Sequence, residues 1–466
     1  MGRQLIVAIN PQLGLQANDE GNVRAMTASA VDLMEMLSTE GARLQPIFDS
    51  IPERSELPDE QLTNMEQEDI SRYYRVLVSE EKLDQLAERL REQSDVEAAF
   101  IKPDAEPAVA ITKGEEAATE TTPDYTIRQG YLKHAPEGVD AYFAWTLPGG
   151  KGAGVQIIDI EGGWQFSHED LLMNQGGLAG GVSVQDTRWR NHGTAVLGEV
   201  SGDENGFGIK GICPDGMIKG ISIFEDQGQA NSARAIVQAA QLLNPGDIIL
   251  IELHRPGPQA TGRGQEGYIP IEWWPDDFEA IQYACRRGII VVEAAGNGNV
   301  NLDDPIYNEP DAGFPRNWKN PFNRNNRDSG AIVVGAGAPP EGTHNRNHGP
   351  DRSRLEFSNY GEMVDVQGWG REVTTTGYGD LQQGNGENQW YTDTFSGTSS
   401  ASPIIVGVLG CLQGVLRGRN KELLTWERAR ELLRSTGSPQ QDAPLRPRTQ
   451  RIGNRPDLRQ LMGRIL

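Results

Sequence analysis

The sequence predicts an α/β protein, a mostly parallel sheet with helices on both faces, preceded by a small α+β domain of the split βαβ type. Two observations carry that prediction. From residue 154 onward, apolar runs with little polar alternation recur at 154–159, 247–253 and 289–293, the pattern of strands covered on both faces. Segments of helical period separate them, so the order is β-α-β and the sheet is parallel. Before them, residues 1–102 contain two successive short strand-helix-strand patterns, the composition of a split βαβ unit.

In the first unit a strand is expected at 4–9, a helix around 24–37 and a strand at 44–48. The second set is a strand at Tyr73–Val78, a helix opened by Ser79 with Glu80 and Glu81 in its first turn, and a strand at Val96–Ile101. Serine caps a helix and early acids suit its positive end. Leu83, Leu86, Ala87 and Leu90 form that helix's apolar face. Residues 103–124, rich in Ala, Glu and Thr, read as a linker, which leaves 125–466 as the large domain.

Within the large domain the strand 154–159 ends at Asp159, and active groups of open α/β sheets gather at the carboxyl ends of strands. Asn191-His192-Gly193-Thr194 opens a short apolar helix expected to begin at His192. Further strands are expected near 219–224, at 247–253 and at 289–293, and further helices near 231–243 and at 276–287. In the helix near 231–243, Ala233, Ile236, Val237 and Ala240 share the core-facing side. The strand 289–293 runs into Ala294-Ala295-Gly296-Asn297. Finally, Gly397-Thr398-Ser399-Ser400-Ala401-Ser402-Pro403 precedes an apolar helical pattern from Ile404 to Leu416, with Pro403 expected in the first turn. Ser399 is thereby placed at a helix N-terminus, where unpaired N–H groups favour negative charge on a substrate oxygen. Each segment alone also fits a plain turn, cap or core residue.

Taken together, in the order Asp, His, Asn, Ser, the four segments resemble the subtilisin-like serine proteases, over roughly residues 125–466. Asn205-Gly206-Phe207-Gly208 and Phe357-Ser358-Asn359-Tyr360-Gly361 are similar to turns of that family. The resemblance implies a subtilisin-like fold and a serine endopeptidase acting through an acyl-enzyme: Ser399 as nucleophile, His192 as base, Asp159 as the carboxylate behind it, and Asn297 as oxyanion donor. It departs from the family pattern after Asp159, where Ile160 and Glu161 intervene before Gly162. It departs again at Glu252-Leu253-His254-Arg255, where the family usually has Ser-Leu-Gly. Glu252, Leu253 and His254 are expected to line one wall of the substrate cleft and Gly228, in the acidic stretch 224–229, the other. Residues 1–102 are similar in position and pattern to the family's propeptide, a folding aid and intramolecular inhibitor.

Composition bounds the alternatives. Lys and Arg total 43 against 66 Asp and Glu, a net charge of −23, which disfavours nucleic acid and anionic membranes as partners and suits a peptide or protein substrate. No apolar run of transmembrane length and no signal peptide pattern is read, and three cysteines cannot build a disulfide framework, so a cytoplasmic location is expected. No cofactor is required. The family often holds structural calcium, yet no calcium loop appears. Gly262-Arg263-Gly264-Gln265-Glu266-Gly267 matches a dinucleotide fingerprint but lacks the strand and helix around it, and it reads as part of a surface loop over 255–274. Two other functions fit less well: a silent regulatory protein on a protease scaffold, and a protease restricted to itself or one partner.

Overall fold

The computed structural model describes residues 2–17, 23–48, 70–109 and 121–466. In the N-terminal part, β1 (Gln4–Ile9), α1 (Ala28–Thr39), β2 (Arg43–Pro46), β3 (Tyr73–Leu77), α2 (Leu83–Arg91) and β4 (Val96–Lys102) form an antiparallel sheet of order β2-β3-β1-β4. The expected helix at 24–37 starts later, because Val23–Ala25 pairs with Leu15–Ala17 and Thr27 then caps the helix by accepting from the Ala30 N–H at 3.2 Å. Strand β1 is apolar after Gln4 because both faces of the sheet are covered. Leu5, Val7 and Ile9 pack with Leu33, Leu37, Leu86 and Leu90 of the domain's own helices. Ile6, Ala8, Tyr73, Ala98 and Phe100 join the core of the large domain.

The large domain is built on a seven-stranded parallel sheet: β6 (Gln156–Glu161), β7 (Gln175–Gly180), β8 (Met217–Ser222), β9 (Ile248–Ile251), β12 (Ile290–Ala294), β13 (Ile332–Gly337) and β14 (Val364–Trp369). Its order is β14-β13-β12-β9-β6-β8-β7, with parallel register throughout. Helices α3 (Thr187–Ser201), α4 (Ser232–Leu242) and α5 (Pro275–Arg286) are the crossovers, followed by α6 (Thr398–Gly418), α7 (Trp426–Ser435) and α8 (Leu458–Ile465). Although α6 is apolar over 21 residues, it lies wholly inside the core. Two helix starts differ from expectation. Asp186 caps α3 through the Arg188 N–H at 2.9 Å, which puts His192 in the second turn. Helix α6 begins at Thr398, so Pro403 lies inside it, and the Ser399 carbonyl lacks the N–H that residue 403 would otherwise supply.

The stretch 255–274 is an exposed loop only over residues 257–266; its two ends are ordered. Strand β10 (Leu253–Pro256) pairs antiparallel with β11 (Tyr268–Pro270), and Trp273 and Trp274 are buried. On its other edge β10 pairs with β5 (Glu106–Pro107), in the register Leu253 with Pro107 and His254 with Glu106. Residues 105–109 of the expected linker are therefore part of the sheet architecture, while 110–120 lie outside the described residues.

Candidate functional site

Strand β6 carries two carboxylates on one face, Asp159 and Glu161, two residues apart. The strand runs two residues further than the sequence suggests, so Glu161, not Asp159, stands at its carboxyl end. His192 on α3 donates from Nδ1 to Glu161 Oε2 at 2.8 Å, with both side chains wholly buried. Asp159 is occupied elsewhere, accepting from the Trp164 indole N–H at 2.7 Å. The expected pairing of Asp159 with His192 is thus corrected: the imidazole's partner is Glu161. Burial pushes the His192 imidazolium down to about 3 and raises the Glu161 carboxyl above its usual range.

Ser399 lies in the first turn of α6, fully buried. Gly397 precedes it with a φ of 119°, and a Cβ there would sit 2.2 Å from the Ala108 carbonyl oxygen. The chain needs glycine at that point for both reasons. The Ser399 N–H donates to that same Ala108 oxygen at 3.3 Å, and the Ala108 N–H to the Glu252 carbonyl at 3.4 Å. Val109 bridges Gly397 from the other side. Among the described residues, neither Ser399 Oγ nor His192 Nε2 has a hydrogen-bond partner. The Asn297 amide is held in place: its oxygen accepts from the Thr398 N–H at 2.9 Å and its Nδ2 donates to Gln265 Oε1 at 3.1 Å.

The expected substrate-lining residues fall in three different settings. Leu253 and His254 run alongside residues 106–107, and His254 Nδ1 accepts from the Asn297 N–H at 3.2 Å. Glu252 offers its backbone carbonyl to Ala108, but its side chain is buried beneath α6, where Ser402 Oγ donates to Oε1 at 2.7 Å. It forms no charged wall. Gly228 lines a cavity of about 300 Å³ with Arg75, Asp104 and Ala105, at the junction with the N-terminal sheet. Glu225, in the same acidic stretch, pairs with Arg75 at 3.2 Å.

Two residues of the site escape a reading of the sequence. Glu161 was visible only as a departure from the expected pattern. Gln265 sits in the discounted glycine-rich segment, yet its Nε2 donates to the Pro107 carbonyl at 2.9 Å while its Oε1 holds the Asn297 amide. Nothing in its local sequence marks it.

Among the described residues, none are assembled to hold a calcium ion. No group of three or more His, Cys, Asp or Glu side chains is placed to hold a metal among the described residues. The neighbouring acids Asp170 and Asp203 already have donors, Asp170 the Asn205 amide at 2.7 Å and the Ile209 N–H at 2.6 Å, and Asp203 the Leu172 N–H at 2.8 Å and that of Met173. Burial lifts Asp170 to about 8.

The family model described as the subtilase family matches residues 179–454. Thermitase of Thermoactinomyces vulgaris is 26% identical over 333 residues, covering 69% of this chain and 94% of its own. A calcium-dependent protease of Nostoc sp. is 28% identical over 312 residues, 62% of this chain and 42% of its own. Among solved structures, the epidermin leader peptide processing serine protease of Staphylococcus aureus aligns with a TM-score of 0.56 at 17% identity, over 99% of this chain and 98% of that one. That last likeness is one of fold, and it spans the N-terminal sheet as well as the large domain.

Proposed function

The chain belongs to the subtilase family and is a serine endopeptidase, and on that premise we propose that Ser399, His192 and Glu161 form its catalytic triad and that the enzyme cuts its own chain between Ala108 and Val109. One observation carries the second half: the Ala108 carbonyl accepts from the backbone N–H of the nucleophilic serine, the position of a substrate carbonyl in an oxyanion hole. The flanking residues support it, since 106–108 lie antiparallel to β10 as a bound peptide strand does.

In the reaction, Ser399 Oγ attacks the Ala108 carbonyl carbon and its proton passes to His192 Nε2, the ring nitrogen left free by the Glu161 bond. Glu161 fixes the tautomer and stabilises the imidazolium. Negative charge on the carbonyl oxygen is met by the Ser399 N–H and the Asn297 amide. Collapse breaks the bond to the Val109 nitrogen, which takes the proton back from His192, leaving residues 1–108 as an acyl group on Ser399. Water, deprotonated by His192, then releases it. The same steps on other chains constitute the endopeptidase activity, and residues 1–108 act as a propeptide until displaced.

Intact mass analysis of purified protein tests this. The wild type is expected to yield pieces corresponding to 1–108 and 109–466, and Ser399→Ala a single uncut chain. Cleavage at another bond, or the same cleavage in Ser399→Ala, overturns the proposal.

A further inference from the structure

Glu252 stands where strand β9 ends and β10 begins, and its carboxyl reaches under the first turn of the helix that bears the nucleophile. Oε1 is engaged by Ser402 Oγ at 2.7 Å, whereas Oε2 is buried and has no hydrogen-bond partner among the described residues. Ser399 precedes Ser402 by one turn on the same side of α6, which turns its hydroxyl toward this carboxyl, and the hydroxyl has no other partner among the described residues. The titratable groups facing Glu252 are acids: Glu161 and Asp159 from β6 and Glu199 from α3. Helix α6 contributes only the hydroxyls of Ser399 and Ser402. Four buried carboxyls around one site cannot all be ionised, and Glu252 makes no ion pair among the described residues that would hold its charge.

We propose that Glu252 is a positioning residue that works as the neutral acid, its Oε2–H donating to Ser399 Oγ. This rests on the reading of Ser399 as nucleophile. The consequence for the reaction is directional. With the acid protonated, the Ser399 oxygen accepts from Glu252, so its own proton is left to point at His192. Developing negative charge on Oγ, both in attack and when Oγ leaves the acyl-enzyme, is met by the same donor. Once ionised, Glu252 accepts from Ser399 instead and draws the hydroxyl proton away from the base. No proton is transferred to or from Glu252 during turnover.

The test is the pH dependence of fluorophosphonate labelling and of peptide kcat in the enzyme as purified. Wild type is expected to lose rate on the alkaline side as Glu252 ionises. Glu252→Gln keeps a neutral donor that cannot ionise, so it should label at a comparable rate and lack that alkaline loss. Glu252→Leu should lower kcat and labelling by at least about 10-fold at every pH with KM little changed, since an oriented hydroxyl is lost. If Glu252→Gln does not fold, Ser402→Ala serves: removing the bond that stabilises the carboxylate form raises the proton affinity of Glu252 and moves the alkaline limb to higher pH. Wild-type labelling in Glu252→Leu, an unchanged alkaline limb in Glu252→Gln, or an unmoved limb in Ser402→Ala each overturns the proposal. Labelling that persists in Ser399→Ala instead overturns the assignment of the nucleophile.

Discussion

A two-residue difference in where a strand ends decides which acid supports the base. Asp159 and Glu161 share one face of β6, so alternation cannot separate them, and only the length of the strand does. Trp164 then claims Asp159, leaving the longer glutamate to reach His192 Nδ1. Glu161→Gln should keep the fold but hold the wrong imidazole tautomer, with kcat reduced by about 10⁴-fold, as for loss of the orienting carboxylate in other triads. Asp159→Asn still offers an oxygen to the Trp164 N–H and should cost less than about 10-fold. Steady-state kinetics on one peptide compares the two. A larger loss in Asp159→Asn than in Glu161→Gln reverses the assignment. Short motifs single out Ser399, His192 and Asn297 because each such motif needs a particular backbone setting. The carboxylate was not, since its place depends on three-dimensional strand length rather than on neighbouring residue types.

At the level of elements, long apolar runs announced the parallel sheet, and strands β6, β8, β9 and β12 fall within a few residues of expectation because burial on both faces leaves little polar signal to confuse. The stretch 255–274 misled for the opposite reason. Its Gly and Pro content reads as loop, yet cross-strand pairing of β10 with β11 and burial of Trp273 and Trp274 give it order that only distant partners supply. That folding back is what brings Gln265 between two partners, the Pro107 carbonyl and the Asn297 side-chain amide. Gln265→Ala should therefore lower kcat/KM by about 10-fold, with KM raised by the lost carbonyl contact and kcat lowered by a freer Asn297. The KM part should vanish for peptides too short to place a residue opposite Gln265, while the kcat part should persist. An unchanged kcat/KM on long peptides removes Gln265 from the site.

For the whole molecule, the N-terminal sheet is fixed to the large domain by buried charge as well as by apolar area. Lys102, at the end of β4, lies between Asp276 and Asp277, 2.8 Å from the latter, and Arg72 reaches Glu279 at 2.7 Å. Removing one partner of a buried pair costs about 3–5 kcal/mol because the other charge is stranded. Lys102→Met should thus speed departure of the cut 1–108 fragment by at least about 100-fold, measured as the appearance of peptide hydrolysis after cleavage. A lag equal to that of wild type would show that the pair contributes nothing to retention. The two-sided sheet adds a consequence of its own. Held in place, it hides one apolar face on its own helices and the other on α4 and α5. On the propeptide reading, its release would expose Ile6, Ala8, Tyr73, Ala98 and Phe100 to water, while the core it shares with its own helices would stay covered. The same apolar face would favour return to the surface it left, so on that reading detachment alone would not free the cleft for good.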